Sequence, residues 1–113
     1  SIRLSPNDAD VANNFAWLLA TYDDVEIRNP YLAVRLAERA VARTQRSDPG
    51  MLDTLAAAYA TAGRFDEAVT TAEDGAALAR ARGRDPLARG IESRLVGYRD
   101  ERPYVHTTLD PAP

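Results

Sequence analysis

Residues 49–78, PGMLDTLAAAYATAGRFDEAVTTAEDGAAL, hold two apolar helical patterns that meet at one glycine-containing turn. Leu52, Leu55, Ala56 and Tyr59 recur at three- and four-residue spacing. Ala62-Gly63-Arg64 interrupts, and Phe65, Ala68, Val69, Ala72, Ala76 and Ala79 resume the same period. The stretch therefore predicts a helical hairpin. Such a hairpin cannot bury its own apolar face alone, so neighbouring hairpins are expected on either side of it.

Upstream, Asn29-Pro30 marks a helix start, with Asn as N-cap and Pro at the first helical position. Leu32, Ala33, Leu36, Ala37, Ala40 and Val41 continue its apolar face to about Arg43 or Thr44. Ser47 or Asp48 then caps the next helix ahead of Pro49. Before Asn29, the segment from Thr21 to Arg28 breaks the period and carries three carboxylates, which predicts an exposed loop. An amphipathic helix is expected from about Asp8 or Asp10, with Val11, Phe15, Leu18, Leu19 and Tyr22 on its apolar side and Trp17 on a different face. Ile2 to Asn7 reads as the last turn of a helix followed by a breaker at Ser5-Pro6-Asn7.

Downstream, the second helix of the hairpin is expected to run to about Arg82, with Gly75 as an interior weak point and Gly83 as a C-terminal stop. Asp85-Pro86 reads as a cap and first-turn proline. Leu87, Ile91, Arg94, Leu95 and Tyr98 line a final helix ending near Arg99. Residues 100–113 contain three prolines and no period, which predicts an extended tail. The predicted fold is all-α, with antiparallel helix-turn-helix repeats, about five helices and no strand.

Composition narrows the function classes. The chain has 113 residues, 27% charged and 45% apolar, with a formal net charge of -3. That size suits one small domain, and that charge argues against a binder of nucleic acid or anionic membrane. No apolar run approaches membrane-spanning length. Without Cys there is no disulfide framework, thiol nucleophile or cysteine metal site. All fourteen basic residues are Arg. GC-rich codon usage accounts for this, and the functional alternative is bidentate pairing with carboxylates.

The residues of the second hairpin resemble the tetratricopeptide repeat, a helix-turn-helix unit of roughly 34 residues. Leu55-Ala56 looks like the paired large and small residues of its first helix, Tyr59 like its aromatic and Gly63 like its turn. Phe65 looks like the following aromatic and Ala68 like the small residue where helices cross. Asp66-Glu67 fits the family's acidic second-helix start. Ala72 and Gly75 depart from the pattern, as does the lack of a Pro near Arg80, and this implies a looser, longer second helix. The first hairpin falls in register, at Phe15-Ala16, Leu19, Ala33, Ala37 and Ala40, if the Thr21 to Arg28 loop holds an insertion. NNFAWLLAT, the acidic loop and NPYLAVRLAERAV together resemble a variant of bacterial repeat proteins. The resemblance thus implies a TPR-like α-solenoid, the C-terminal part of a longer array. Residues 1–7 would be the tail of a preceding repeat, 8–46 and 47–84 two hairpins, 85–99 a capping helix and 100–113 a tail.

Signatures of catalysis are sparse. Asp23, Asp24 and Glu26 lack the donor spacing and mid-loop Gly of an EF-hand. His106 is the only histidine and has no second ligand or positioned partner. No nucleophile elbow, phosphate loop or HExxH occurs. Arg80, Arg82, Arg84 and Arg89 gather at a helix end, where they offset the negative pole or meet an acidic partner. No cofactor or metal is expected, and the chain reads as a non-enzyme.

In the register that the resemblance implies, the groove side of the first helix carries Asp10, Asn13, Asn14, Trp17 and Thr21. The second hairpin adds Asp53, Thr54, Ala57 and Thr61. A Trp flanked by amides suits an extended peptide, the amides bonding its backbone and the Trp supplying anchor area. Asn13, Asn14, Trp17, Thr21, Asp53 and Thr54 are therefore the candidate peptide-binding residues. The carboxylate clamp of chaperone-binding members is not expected, because the groove candidates are neutral or acidic and the chain has no Lys. The expected function is a protein-protein interaction scaffold that binds a peptide or protein on its concave face. The alternative is a structural segment for capping, docking or self-association through exposed repeat ends.

Overall fold

A computed structural model of the chain describes residues 6–22 and 29–104, with side-chain environments from Ala9 onward. It contains α1 (Pro6–Thr21), α2 (Pro30–Arg43), α3 (Pro49–Thr61), α4 (Phe65–Ala81) and α5 (Asp85–Arg99). No strand occurs among the described residues, and none of their helices is long and apolar enough to cross a membrane. The helix tail expected over Ile2 and Leu4, the carboxylates of the 23–28 loop and His106 lie outside the described residues.

Local chemistry sets the starts. Asn29 caps α2, its Oδ1 accepting from the Leu32 N–H at 3.2 Å, and Asp48 caps α3 by accepting from the N–H groups of Gly50 and Met51. Pro30 and Pro49 follow at first-turn positions, where a missing N–H costs nothing. Two starts differ from expectation. Pro6 and Asn7 belong to α1, because a proline that ends one helix is equally suited to begin the next. Asp85 is the first residue of α5, and Arg84 precedes it with no side-chain cap.

The ends of α2 to α5 share one closure. The N–H groups of Arg46, Arg64, Arg84 and Arg102 reach back five residues to the carbonyls of Val41, Tyr59, Ala79 and Gly97, at 2.8–2.9 Å. In each case the preceding residue is left-handed: Gln45, Gly63, Gly83 and Glu101 have φ of 55°, 80°, 72° and 57°. This is the Schellman closure, and glycine fills only the second and third of the four positions.

Packing follows the short connections. Successive pairs α1–α2, α2–α3, α3–α4 and α4–α5 are neighbours, and α3 also touches α1 and α5. Thus α1, α3 and α5 run side by side, while α2 and α4 fill the angles between them without meeting each other. This is the packing of adjacent helices in a helical repeat. At the centre, α3 is buried from Pro49 through Ala60. A helix enclosed on all sides needs small side chains, and Ala56, Ala57, Ala58 and Ala60 supply them.

In α1 the apolar phase differs from the expected one. Ala9, Ala12, Ala16, Trp17, Leu19 and Ala20 are buried, whereas Val11 and Phe15 are 63% and 50% exposed. The alanine side faces inward because only small residues allow α1 to approach α2 and α3 closely, so bulk misleads as a guide to the buried face. Gly75 is likewise a packing position rather than a weak point: a Cβ there would stand 3.2 Å from the Leu52 Cβ.

Candidate functional site

The inner helices α1, α3 and α5 converge on one cluster. Asp53 is fully buried on α3, and Arg94 of α5 grips it with both arms of its guanidinium. Nε donates to Asp53 Oδ1 at 3.0 Å, and Nη2 donates to Oδ2. The guanidinium carbon lies 5.5 Å from the centre of the Trp17 ring and 5.3 Å from that of Tyr104. The two rings sit 5.8 Å apart at 36°. A cation fixed by a carboxylate and flanked by two aromatic rings gains both Coulomb and cation–π energy in a site from which water is largely excluded.

The chain beyond α5 places Tyr104. The Schellman closure at Glu101 reverses the backbone, and Pro103 leads Tyr104 back to Trp17. Of the tail expected over 100–113, residues 105–113 lie outside the described residues, and Tyr104 rests against Trp17. The Tyr104 ring gains contact with Trp17 and Arg94 by folding back that it would not have in water.

Electrostatics in the cluster are governed by burial. Loss of water pushes the Asp53 carboxyl above its ordinary range, and the Arg94 guanidinium pulls against that rise. Burial disfavours the charge on Arg94, yet Asp53 holds its pKa above the usual value. Tyr98, buried on the same side of α5, has its phenol pushed well up by desolvation and then by the Asp53 charge. Its Oη, and Oδ1 of Asn13 on α1, are buried without a hydrogen-bond partner among the described residues. Beside the cluster is a shallow depression of about 250 Å³ lined by Ser93, Arg94, Val96, Gly97, Arg102, Pro103 and Tyr104.

Of the six candidate residues, the structure brings Trp17 and Asp53 together through Arg94, and Asn13 lies one turn before Trp17 on α1. Asn14 is exposed. Thr21 and Thr54 are fully buried, with hydroxyls donating to the Trp17 and Gly50 carbonyls one turn back. Five of the six side chains are buried, and α5 and Tyr104 lie against two of them, Asp53 and Trp17. Arg94, Tyr98 and Tyr104 were missing from the candidate set. The sequence did carry a signal for Arg94, a charged residue on the apolar line of the final helix, since such a residue needs a buried counter-ion.

Elsewhere, arginine also pairs through both arms. Arg64 holds Glu67, and Arg80 of α4 holds Glu92 of α5. These pairs are exposed and contribute little. No group of three metal-ligating side chains occurs among the described residues. A surface depression of about 440 Å³ lies between the start of α4 and the end of α5 and is lined by Phe65, Asp66, Val69, Thr70, Tyr98, Arg99 and Glu101. Comparison of the chain with protein-family models, with curated proteins and with solved structures found no match.

Proposed function

We propose that this chain is a protein-protein interaction scaffold, a TPR-like module without catalysis of its own, which binds an extended peptide or protein segment on the face formed by α1, α3 and α5. The observation that supports this most is the convergence of Trp17, Asp53 and Arg94, one from each inner helix, at a single spot. A buried ion pair is a poor stabiliser compared with apolar residues of the same volume. Aromatic and arginine side chains in a desolvated setting are also what binding hot spots are made of. Panning a random peptide library against the chain tests the reading. Selected peptides should alter Trp17 fluorescence and shift backbone amide resonances of α1, α3 and α5. Peptides that map to α2 and α4, or no selected peptides at all, would overturn it.

A second reading, self-association or docking through a repeat end, draws on a separate observation. Val11 and Phe15 form an exposed apolar pair one turn apart on α1, and Tyr31 and Leu32 are exposed at the start of α2. Light scattering across concentration tests this: mass should rise for the native chain and stay monomeric for Phe15→Glu. A strictly monomeric native chain would remove this reading.

A further inference from the structure

We infer that the face of the α1–α2 pair turned away from α3 is a docking site for an acidic amphipathic helix supplied by a partner protein. This goes beyond both readings above, since the occupant is neither an extended peptide on the α1, α3 and α5 side nor a second copy of this chain.

The apolar part of the site is on α1. Val11, Phe15 and Leu18 follow at i, i+4 and i+7, so they form one stripe along the helix. Val11 and Phe15 are exposed and Leu18 is half-buried. Among the described residues α1 packs on α2 and α3 and on no other helix, which leaves the stripe uncovered. Forty positions later, α3 carries Met51 and Leu55 where α1 carries Val11 and Phe15, and both are buried. The element packed on α3 beside Met51 is a helix: the hydroxyl of Thr44, the C-cap of α2, meets Met51 Sδ at 3.7 Å. That relation gives the occupant of the α1 stripe its shape, a helix with apolar residues at matching spacing.

Charge gives the occupant its chemistry. On α2, Leu32, Arg35, Leu36 and Arg39 stand at i, i+3, i+4 and i+7 and share one side; Leu36 is half-buried and the other three are exposed. Glu38, the one carboxylate of α2, lies toward α3, where its Oε2 accepts from the Tyr59 hydroxyl at 2.8 Å. Arg35 and Arg39 make no ion pair among the described residues. Asp10, at the start of α1, shares a depression with Arg43, at the far end of α2. A helix with leucine on one side and glutamate on its flanks meets the stripe and the two arginines together. A second copy presenting this face would set arginine against arginine, and an anionic membrane would meet a chain of net charge -3.

The probe is a synthetic helical peptide of about 18 residues, with leucine at i, i+3, i+4 and i+7 and glutamate or glutamine elsewhere. Its twin has lysine in place of every glutamate. Both are titrated into the native chain by calorimetry, and the backbone amide shifts are mapped. The glutamate helix should bind and shift amides of α1 and α2, and the lysine helix should bind about tenfold or more weakly. Phe15→Glu should keep its helical circular dichroism and lose about tenfold or more in affinity for the glutamate helix. Arg35→Glu combined with Arg39→Glu should reverse the preference between the two peptides. This double variant changes exposed side chains alone and carries the test if Phe15→Glu unfolds.

No binding of the glutamate helix, equal binding of both helices, or shifts confined to α3 and α5 would overturn the inference. So would an unaltered preference in the double variant. A native mass that rises with concentration and falls in Phe15→Glu would give the face to a second copy instead. Anionic lipid vesicles that bind the native chain and not the double variant would give it to a membrane, and either result overturns the inference. Peptides that map to α1, α3 and α5 bind or fail independently of these outcomes, so the scaffold reading is judged separately.

Discussion

Arg94 on α5 and Asp53 on α3 are joined by a two-armed ion pair, with the carboxylate fully buried and the guanidinium largely so. The pair ties the last helix to the central one and holds the cation on which Trp17 and Tyr104 rest.

Breaking the pair from one side should cost far more than removing it whole. Asp53→Ala leaves Arg94 enclosed without a counter-ion, an expected loss of about 3–5 kcal/mol. Asp53→Leu combined with Arg94→Met should recover most of that, because the desolvation of both charges disappears with them. Urea titration of the single and double variants measures the coupling. A double variant no more stable than Asp53→Ala would show that the ion pair contributes net stability.

The four Schellman closures predict opposite effects for reciprocal substitutions. Nothing lies within 4 Å of a Cβ built on Gly63 or Gly83, so Gly63→Ala and Gly83→Ala meet backbone strain alone. Each should lose about 1–2 kcal/mol. Gln45→Gly and Glu101→Gly release the same strain and should gain up to about 1 kcal/mol after the entropy of glycine is deducted. Thermal melts would register each kilocalorie as about 4–8 °C in a domain of this size.

Tyr59 makes stability depend on alkaline pH. Its hydroxyl donates to Glu38 Oε2 at 2.8 Å. Burial, then that hydrogen bond and the Glu38 charge, push its pKa from 10.0 up to about 12. The folded chain thus holds this proton where the unfolded chain has lost it. The contribution is complete below the unfolded pKa of about 10 and is lost as pH rises through about 12. Glu38→Gln removes the charge and should bring the Tyr59 titration down toward its ordinary range, read as phenolate absorbance against Tyr59→Phe as reference. A Tyr59 titration unmoved by Glu38→Gln would rule out the hydrogen bond and the charge as causes.

Gly75 tests the close approach of α3, α4 and α5. A Cβ there is 3.2 Å from Leu52 Cβ and 3.5 Å from both Ile91 Cδ1 and the Pro49 carbonyl. Gly75→Val must push α4 off its neighbours, at an expected cost of about 1–3 kcal/mol. In Gly75→Ala the gain in helix propensity offsets a milder contact, so its denaturation midpoint should stay near that of the native chain.

Much of the fold was legible because its punctuation is local. Asn29-Pro30, Asp48-Pro49, Gly63 and Gly83 each act within one turn of backbone, and all four helix boundaries they announced are present. The buried side of α1 was misread because Val11 and Phe15 outweigh Ala9, Ala12 and Ala16 in bulk, although small residues are what a close helix crossing admits. The candidate cluster was half legible. Trp17 and Asp53 were singled out from their register, whereas Arg94 and Tyr104 lie 41 and 51 positions beyond Asp53, and no periodicity links residues at that separation.

The sequence by itself determined that this chain is all-α, where its helices turn, and that its best-formed hairpin needs partners, since capping, left-handed turns and helical periodicity depend on near neighbours along the chain. Only the tertiary structure decided which side chains of α1, α3 and α5 are enclosed together. That outcome depends on Arg94 finding the Asp53 carboxylate and Tyr104 folding back over Trp17, and these contacts gain their strength from desolvation, which exists only once the helices have packed.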